Sequence, residues 1–437
     1  MNSNPLLGHI VTEDKVLYNH ALTVHDGRIQ SVSPAPHAAR EAPLPYILPG
    51  FRDQHVHDRI GQSLAHNDDE DLIVKRFRQA MQSFARHGVV GVYAATFGDA
   101  AESLERYCCA ARRWMDHAGN GRLGAKLLGV HIEGTFINEA CRGAQPAEYC
   151  LIPDRRDCIR ALHRFHETGA VKIINIVPDY GEASLKAIQC AAELGFLVGA
   201  GHTAASADQI RAAFQENDLK FMVHFTNGPT GQSFKPFGGG GAFEGALNLP
   251  IHKELIVDGV HVDDRYILDI IRQTEERWGL DKIVAVTDAL FPSLEEIPSG
   301  EFTLGSTVAK LDPHRNFLRA VAYLQPDGAR IPSPPNTLCS SVAAMDHVFS
   351  RLVTLFTKST RGHWYDHPER PLDQALVRAA RICATHQAKL CGAYPETGAI
   401  AAGKCADLVI GHLKNNDGLY QFHVQETVID GIRIALE

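Results

Sequence analysis

The sequence predicts an α/β fold: a (β/α)₈ barrel of the TIM type, with a small β-sandwich domain formed from both chain ends. Three observations predict it. Strand-length apolar runs alternate with helical stretches through the middle of the chain. The runs lack polar alternation, as a parallel sheet covered on both faces requires. His57, Glu133, His202, His224 and Asp288 each fall at the C-terminal end of such a run. In a barrel those ends converge on one mouth, whereas in an open sheet they spread along an edge.

The chain of 437 residues suits one large barrel plus a satellite domain. Residues 1–48 read as short strands broken by turns, the clearest at His25-Asp26-Gly27-Arg28. Residues 395–437 look similar, so these two ends form the predicted small domain and residues 49–394 the barrel. Within the barrel, strands are expected at 89–96, 127–133, 171–177, 196–202, 221–224 and 283–288. Helices are expected at 71–87 and 184–194. Residues 301–330 carry turn signals between β-like runs and read as an insertion over the barrel mouth. The glycine run at 238–241 is the most flexible-looking element.

Composition narrows the function classes. Hydrophobic residues make up 45% and charged residues 22%, the balance of a soluble globular protein. A net charge of -8 argues against nucleic-acid binding, which needs clustered Lys and Arg. No apolar run approaches a membrane span, and residues 1–10 lack the pattern of a secretory signal. The ten cysteines form no C-x-x-C pair, and Cys108 and Cys109 read as ordinary helix residues. The expectation is a reduced, cytoplasmic protein.

The chemistry rests on a cluster. His55 and His57 flank Val56. Residues two apart on a strand face the same way, so both imidazoles can enter one cavity. His-x-His alone does not define a metal site. Glu133, His202 and His224 add the imidazole and carboxylate ligands that suit Zn²⁺ and similar ions. Asp288 adds a carboxylate that can act as ligand, as base, or as both. Five such residues at five strand ends are more simply explained by one shared divalent metal site than by five separate packing roles. A metal hydrolase follows, with Asp288 moving the proton between water and leaving group.

Several segments, in order along nearly the whole chain, resemble the amidohydrolase superfamily and within it the N-acetylglucosamine-6-phosphate deacetylase family. Leu48-Pro49-Gly50-Phe51-Arg52-Asp53 is similar to its opening strand, and His131-Ile132-Glu133-Gly134 to its His-Leu-Glu-Gly segment. Gly201-His202-Thr203 and His224-Phe225-Thr226-Asn227-Gly228 resemble its two later ligand segments. Val257-Asp258-Gly259-Val260-His261, Thr287-Asp288-Ala289, Thr337-Leu338-Cys339-Ser340-Ser341 and Gly403-Lys404-Cys405-Ala406-Asp407-Leu408 continue the match. The resemblance implies one or two Zn²⁺ ions per subunit, Asp288 as catalytic residue, and a homodimer. It implies substrate contacts at Asn227, Gly228, His261 and Ser341, with Lys235 where the family has a phosphate-binding arginine. Lys can neutralise a phosphate but lacks the bidentate fork of Arg.

The departures cluster away from the metal ligands. Thr135 stands where the family has proline, Gln145 where it has a histidine, and Cys339-Ser340 where it has Ala-Gly; Gln145 is accordingly a further expected substrate contact. The expected activity is therefore hydrolysis of the acetamide of an N-acetylated amino sugar, N-acetylglucosamine 6-phosphate or a related sugar phosphate. The competing enzyme reading is another amidohydrolase acting on a non-phosphorylated N-acyl or cyclic amide. A non-catalytic binding protein on the same fold is the third reading; the full ligand set and Asp288 argue against it.

Overall fold

The computed structural model describes residues 5–35, 43–57, 69–153, 156–228, 239–290, 297–304, 307–312, 317–325, 327–334 and 337–436. The chain opens with four short strands, β1 (Leu6–Val11), β2 (Val16–His25), β3 (Arg28–Pro34) and β4 (Tyr46–Pro49). It then enters the barrel strands β5 (Phe51–His57), β6 (Val89–Thr96), β7 (Lys126–Phe136), β8 (Val171–Ile176), β9 (Leu197–Ala200), β10 (Phe221–Met222), β11 (His252–Ile256) and β12 (Ile283–Val286). These eight strands pair in parallel in sequence order. The two outer strands meet through Asp288, whose N–H donates to the His55 carbonyl at 2.9 Å, and through Thr287, whose hydroxyl donates to the Asp53 carboxylate at 2.5 Å. The sheet thus curls into a barrel, as expected.

The opening Leu-Pro-Gly segment is divided between two sheets. Leu48 and Pro49 pair with Val409 and Leu408, while Phe51 pairs with Val89. Gly50 makes the crossing, because a Cβ there would lie 2.2 Å from a Val90 methyl. The C-terminal strands β20 (Leu408–Asn416), β21 (Leu419–Ile429) and β22 (Ile432–Arg433) complete a seven-stranded sheet in the order β22-β21-β20-β4-β1-β2-β3. Ile10, Leu22, Ile29 and Ile47 from the N-terminal end share one buried cluster with Leu408, Ile410 and Val428 from the other. Burial of both ends together holds them beside the barrel.

Period-two alternation sorts the barrel side chains. Val56, Val92, Ile132 and Ile174 belong to the main core with the helical residues Phe77, Met81, Leu162 and Ile188. These helices are α1 (Glu70–Arg86), α2 (Ala101–Met115), α3 (Arg156–Glu167), α4 (Glu182–Glu193), α5 (Ala207–Glu216), α6 (Ala242–Leu247) and α7 (Asp264–Trp278). Side chains cap the starts of α1 and α5: Asp69 accepts from Leu72 N at 2.8 Å, and Ser206 with Gln209 forms a capping box. Cys108 and Cys109 lie on α2, as their sequence implied. A separate cluster fills the barrel interior: Tyr93, Ile173, Phe221 and Val223, packed with Leu390 and Cys391. His55, His57, His131 and Glu133 alternate with the outward residues and occupy the same interior.

The excursion after β12 is a separate antiparallel sheet of β13 (Glu301–Leu304), β14 (Thr307–Asp312), β15 (Phe317–Leu324), β16 (Arg330–Pro332) and β17 (Leu338–Ser341). Its Ala309, Leu318 and Ala320 pack with Leu290 and with Phe97 and Ala144 from barrel loops, so it lies against the barrel mouth. The helices α8 (Met345–Phe356), α9 (Leu372–Ala380) and α10 (His386–Leu390), with the short pair β18 (Thr360–Arg361) and β19 (Asp366–His367) between α8 and α9, return the chain to the small sheet. Among the described residues no helix is long and apolar enough to cross a membrane.

Lys253 on β11 is fully buried, its ammonium donating to the carbonyls of Ile251 at 3.0 Å and Leu249 at 3.4 Å. Burial, with a smaller contribution from Lys282, pushes its pKa from 10.5 down to about 7. Between those values the unfolded chain binds a proton that the folded chain does not. Folding stability should therefore rise with pH from about 7 toward 10.5. Lys253→Met is expected to flatten that rise in thermal melts. An unchanged slope would clear Lys253 of the effect.

Candidate metal centre and active site

The five predicted ligands, His55, His57, Glu133, His202 and His224, come together with Asp288 at one end of the barrel. His57 closes β5 and Glu133 lies in β7, while His202, His224 and Asp288 each sit two residues beyond β9, β10 and β12. The last three adopt φ values of 55°, 27° and 48°. Non-glycine residues rarely occupy that region, and such conformations concentrate where side chains must be aimed. Here they turn three strand ends inward.

Glu133 is the hub. Its Oε1 lies 2.9 Å from Nε2 of both His202 and His224 and 3.7 Å from His55 Nε2. Its Oε2 lies 3.4 Å from His57 Nε2. Asp288 Oδ1 lies 3.3 Å from His57 Nε2 and 3.5 Å from His55 Nε2. The Asp288 side chain is 15% exposed against 0% for His55, so Asp288 is the more open to an incoming molecule.

The donor set fits a cation. His202 Nδ1 lies 2.8 Å from the Cys141 carbonyl and so carries a proton, which in the neutral ring leaves the Nε2 lone pair facing the Glu133 carboxylate. Two acceptors at 2.9 Å repel unless a positive charge lies between them. The electrostatics agree. Burial would lower the pKa of His55, yet the Glu254 hydrogen bond and the charges of Asp288, Glu254 and Glu133 raise it to about 10. Burial likewise opposes ionisation of Glu133, but His202, His224 and His57 hold its carboxyl well below the usual range. Among the described residues, three sets bring ligand atoms within 4.8 Å of one another: His55 with His57 and Asp288, His55 with Glu133 and His224, and His55 with His131 and Glu254. Such nitrogen and carboxylate sets suit a divalent ion of the zinc type.

The remaining predicted contacts divide. Asn227 and His261 are neighbours: Asn227 Nδ2 donates to the His261 carbonyl at 3.3 Å. Asn227 Oδ1 is buried without a partner, a group suited to a ligand's hydroxyl or N–H. His261 Nδ1 lies 2.7 Å from Asp258 Oδ2, leaving Nε2 for other contacts. Gly228 is buried beside the His224 ring and accepts from Thr203 N at 3.2 Å. Ser341 is fully buried; its hydroxyl accepts from Ala343 N at 3.1 Å, and its N–H donates to the Asp288 carbonyl at 3.2 Å. It brackets the backbone of Asp288, as does the Ser340 hydroxyl at 2.7 Å. Lys235 lies outside the described residues, as does Gly238 of the glycine run, whereas Gly241 caps α6.

Gln145 is inside the centre. Its amide nitrogen donates to Glu133 Oε2, and its carbonyl accepts from Gly98 N at 2.8 Å. Gly134 makes this approach feasible, since a Cβ there would lie 2.3 Å from Gln145 Oε1 and 2.1 Å from Gly98 N. Gly134→Ala should push Gln145 off Glu133. Turnover by the metal-loaded protein is expected to fall by up to about 10²-fold, the effect of a misplacement near 1 Å. An unaltered rate would show that Gln145 does not hold Glu133 in place.

Sequence reasoning missed Glu254 and Phe97. Phe97 stacks on the His57 ring at 4.3 Å, and Glu254 lies 3.2 Å from His55 Nδ1. The signal for Glu254 was present: a carboxylate inside the strand-length run His252–Ile256, four residues before Asp258.

Comparisons with known proteins agree with this geometry. The sequence profile of the Amidohydrolase family matches residues 46–433. The chain is 30% identical to the N-acetylgalactosamine-6-phosphate deacetylase of Escherichia coli O157:H7, over 68% of this chain and 73% of that one. It is 24% identical to the N-acetylglucosamine-6-phosphate deacetylase of Bacillus subtilis (strain 168), over 92% and 91%. In fold it is similar to the crystal structure of N-acetyl-D-glucosamine-6-phosphate deacetylase from Mycobacterium smegmatis, with a TM-score of 0.74, 23% identity, and coverage of 99% and 100%. With the barrel, its histidine- and carboxylate-lined mouth and a match spanning most of its length, the chain belongs to the amidohydrolase family.

Proposed function

We propose that the protein is a metal-dependent deacetylase that hydrolyses the acetamide of an N-acetylated hexosamine 6-phosphate to the free amine and acetate, with residues 49–394 as its catalytic unit. The observation that carries the chemistry is the convergence of His55, His57, Glu133, His202, His224 and Asp288 around one space. The observation that narrows the substrate is the similarity to two hexosamine-phosphate deacetylases over most of the chain.

In this reading Glu133, His202 and His224 hold one divalent ion, with Zn²⁺ the expected metal, and His55 and His57 with Asp288 offer a second position. Such an ion supplies Lewis acidity toward an amide carbonyl and makes nearby water a stronger acid. Asp288 Oδ1 takes the proton from the attacking water and returns it to the departing amine nitrogen. Its carboxyl is held ionised because the neighbouring His57, His55 and His224 outweigh the effect of burial. Gln145 keeps Glu133 from rotating, and Asn227 Oδ1 and His261 bind the sugar. The expected assembly is a homodimer, checked by sedimentation.

The test is acetate release by metal-loaded protein from N-acetylglucosamine 6-phosphate, N-acetylgalactosamine 6-phosphate and both unphosphorylated sugars. Fast turnover of one phosphosugar supports the reading and names the epimer. Absence of turnover on all four would overturn it in favour of a different amide, with the glutamine at position 145 in place of the family's histidine as the first residue to examine.

A further inference from the structure

Glu254 is fully buried at the base of the centre. A buried carboxylate is strongly unfavourable unless its oxygens are satisfied, and here each has donors. Oε1 accepts from Gln54 Nε2 at 2.6 Å. Oε2 serves two neighbours at once: the His55 ring through Nδ1 at 3.2 Å and the His224 backbone N–H at 3.0 Å. One oxygen therefore touches two residues of the centre, from β5 and from the turn after β10. The His224 contact carries further weight because that residue has a φ of 27°. An unusual backbone conformation persists only where its surroundings hold it.

We propose that Glu254 is a positioning residue of the metal centre, fixing His55 as the Nδ1–H tautomer with Nε2 presented to Glu133, His57 and Asp288, and clamping the backbone that aims His224. This rests on the reading that His55 and His57 help to hold a metal ion. The physical reason is direct. A ring nitrogen facing a carboxylate carries a proton, so in the neutral imidazole that ligates a metal the opposite nitrogen carries the lone pair, and the hydrogen bond makes that lone pair more basic. His131 lies in the same buried group, but its Nδ1 faces the Gln54 carbonyl at 3.1 Å, so it braces β5 without touching Glu254 through that atom.

The experiment measures Zn²⁺ affinity by chelator competition and the visible absorption of the Co²⁺-loaded protein. It compares the unaltered protein, Glu254→Ala, Glu254→Gln, and a double variant His55→Ala with His57→Ala. Glu254→Ala should weaken binding at the His55 position by about 10–100-fold and shift the Co²⁺ bands, with circular dichroism unchanged. Glu254→Gln keeps an acceptor for His55 and His224 once the Gln54 amide turns over, and should recover most of the affinity. Unchanged affinity and absorption in Glu254→Ala, with metal lost from the double variant, overturns the positioning role alone. A double variant with undiminished metal content overturns the reading of the histidine pair and this proposal with it. If Glu254→Ala does not fold, ¹⁵N-histidine NMR of the unaltered protein decides: a protonated Nδ1 on His55 is expected, and an Nδ1 lone pair overturns the proposal.

Discussion

Asp288→Asn is expected to lower turnover by about 10²–10⁴-fold, the usual contribution of one positioned acid–base group. Asparagine keeps the shape of the side chain, so the turn at φ 48° and its backbone bonds to His55 and Ser341 should survive. What is lost is the proton acceptor. The amide cannot take a proton from water, and it also replaces a charged neighbour of His57 and His55 by a neutral one. The two losses are separable. A variant that keeps full metal content but turns over slowly has lost the base; one that loses metal from the His55 and His57 position has lost a ligand. Full metal with unaltered turnover of the phosphosugar would remove Asp288 from the mechanism.

Glu133→Gln should have the second large effect, chiefly on metal content. Glu133 Oε1 sits 2.9 Å from Nε2 of both His202 and His224. Glutamine removes the negative charge and can turn N–H donors toward those nitrogens, closing the space with hydrogen bonds instead of leaving it for an ion. The affinity loss should exceed the roughly 10–100-fold that removal of an outer partner causes. Thermal stability reads the same change: added Zn²⁺ should raise the melting temperature of the unaltered protein and do so far less for the variant. Equal metal-dependent shifts in both proteins would be inconsistent with Glu133 as the hub.

The barrel was legible because its strands had to be largely apolar without alternation, as in residues 89–96, 171–177 and 283–288. Strand β11 was not. His252, Lys253 and Glu254 break its apolar run, and only the fold shows why charge is tolerated there: Lys253 reaches the carbonyls of Leu249 and Ile251, and Glu254 serves Gln54, His55 and His224. A satisfied buried carboxylate and a solvated one look alike in a string of letters. The same limit hid the work of Gln145 and Ser341. Both were readable as substrate contacts from their positions, but in the fold one amide is spent on Glu133 and Gly98, and one hydroxyl caps Ala343.

The sequence by itself determined the periodicity of the elements, the pairing of the chain ends, and the chemical identity of the candidate ligands at the ends of the runs. Each of these depends on local pattern or residue type, which neighbours along the chain specify. Tertiary structure alone decided the hub. Contacts across the barrel join residues 234 positions apart, as between Asp53 and Thr287. That closure brings Glu254 under His55 and sets both imidazoles and carboxylates around one space, because only a closed sheet carries its first and last strands to the same edge.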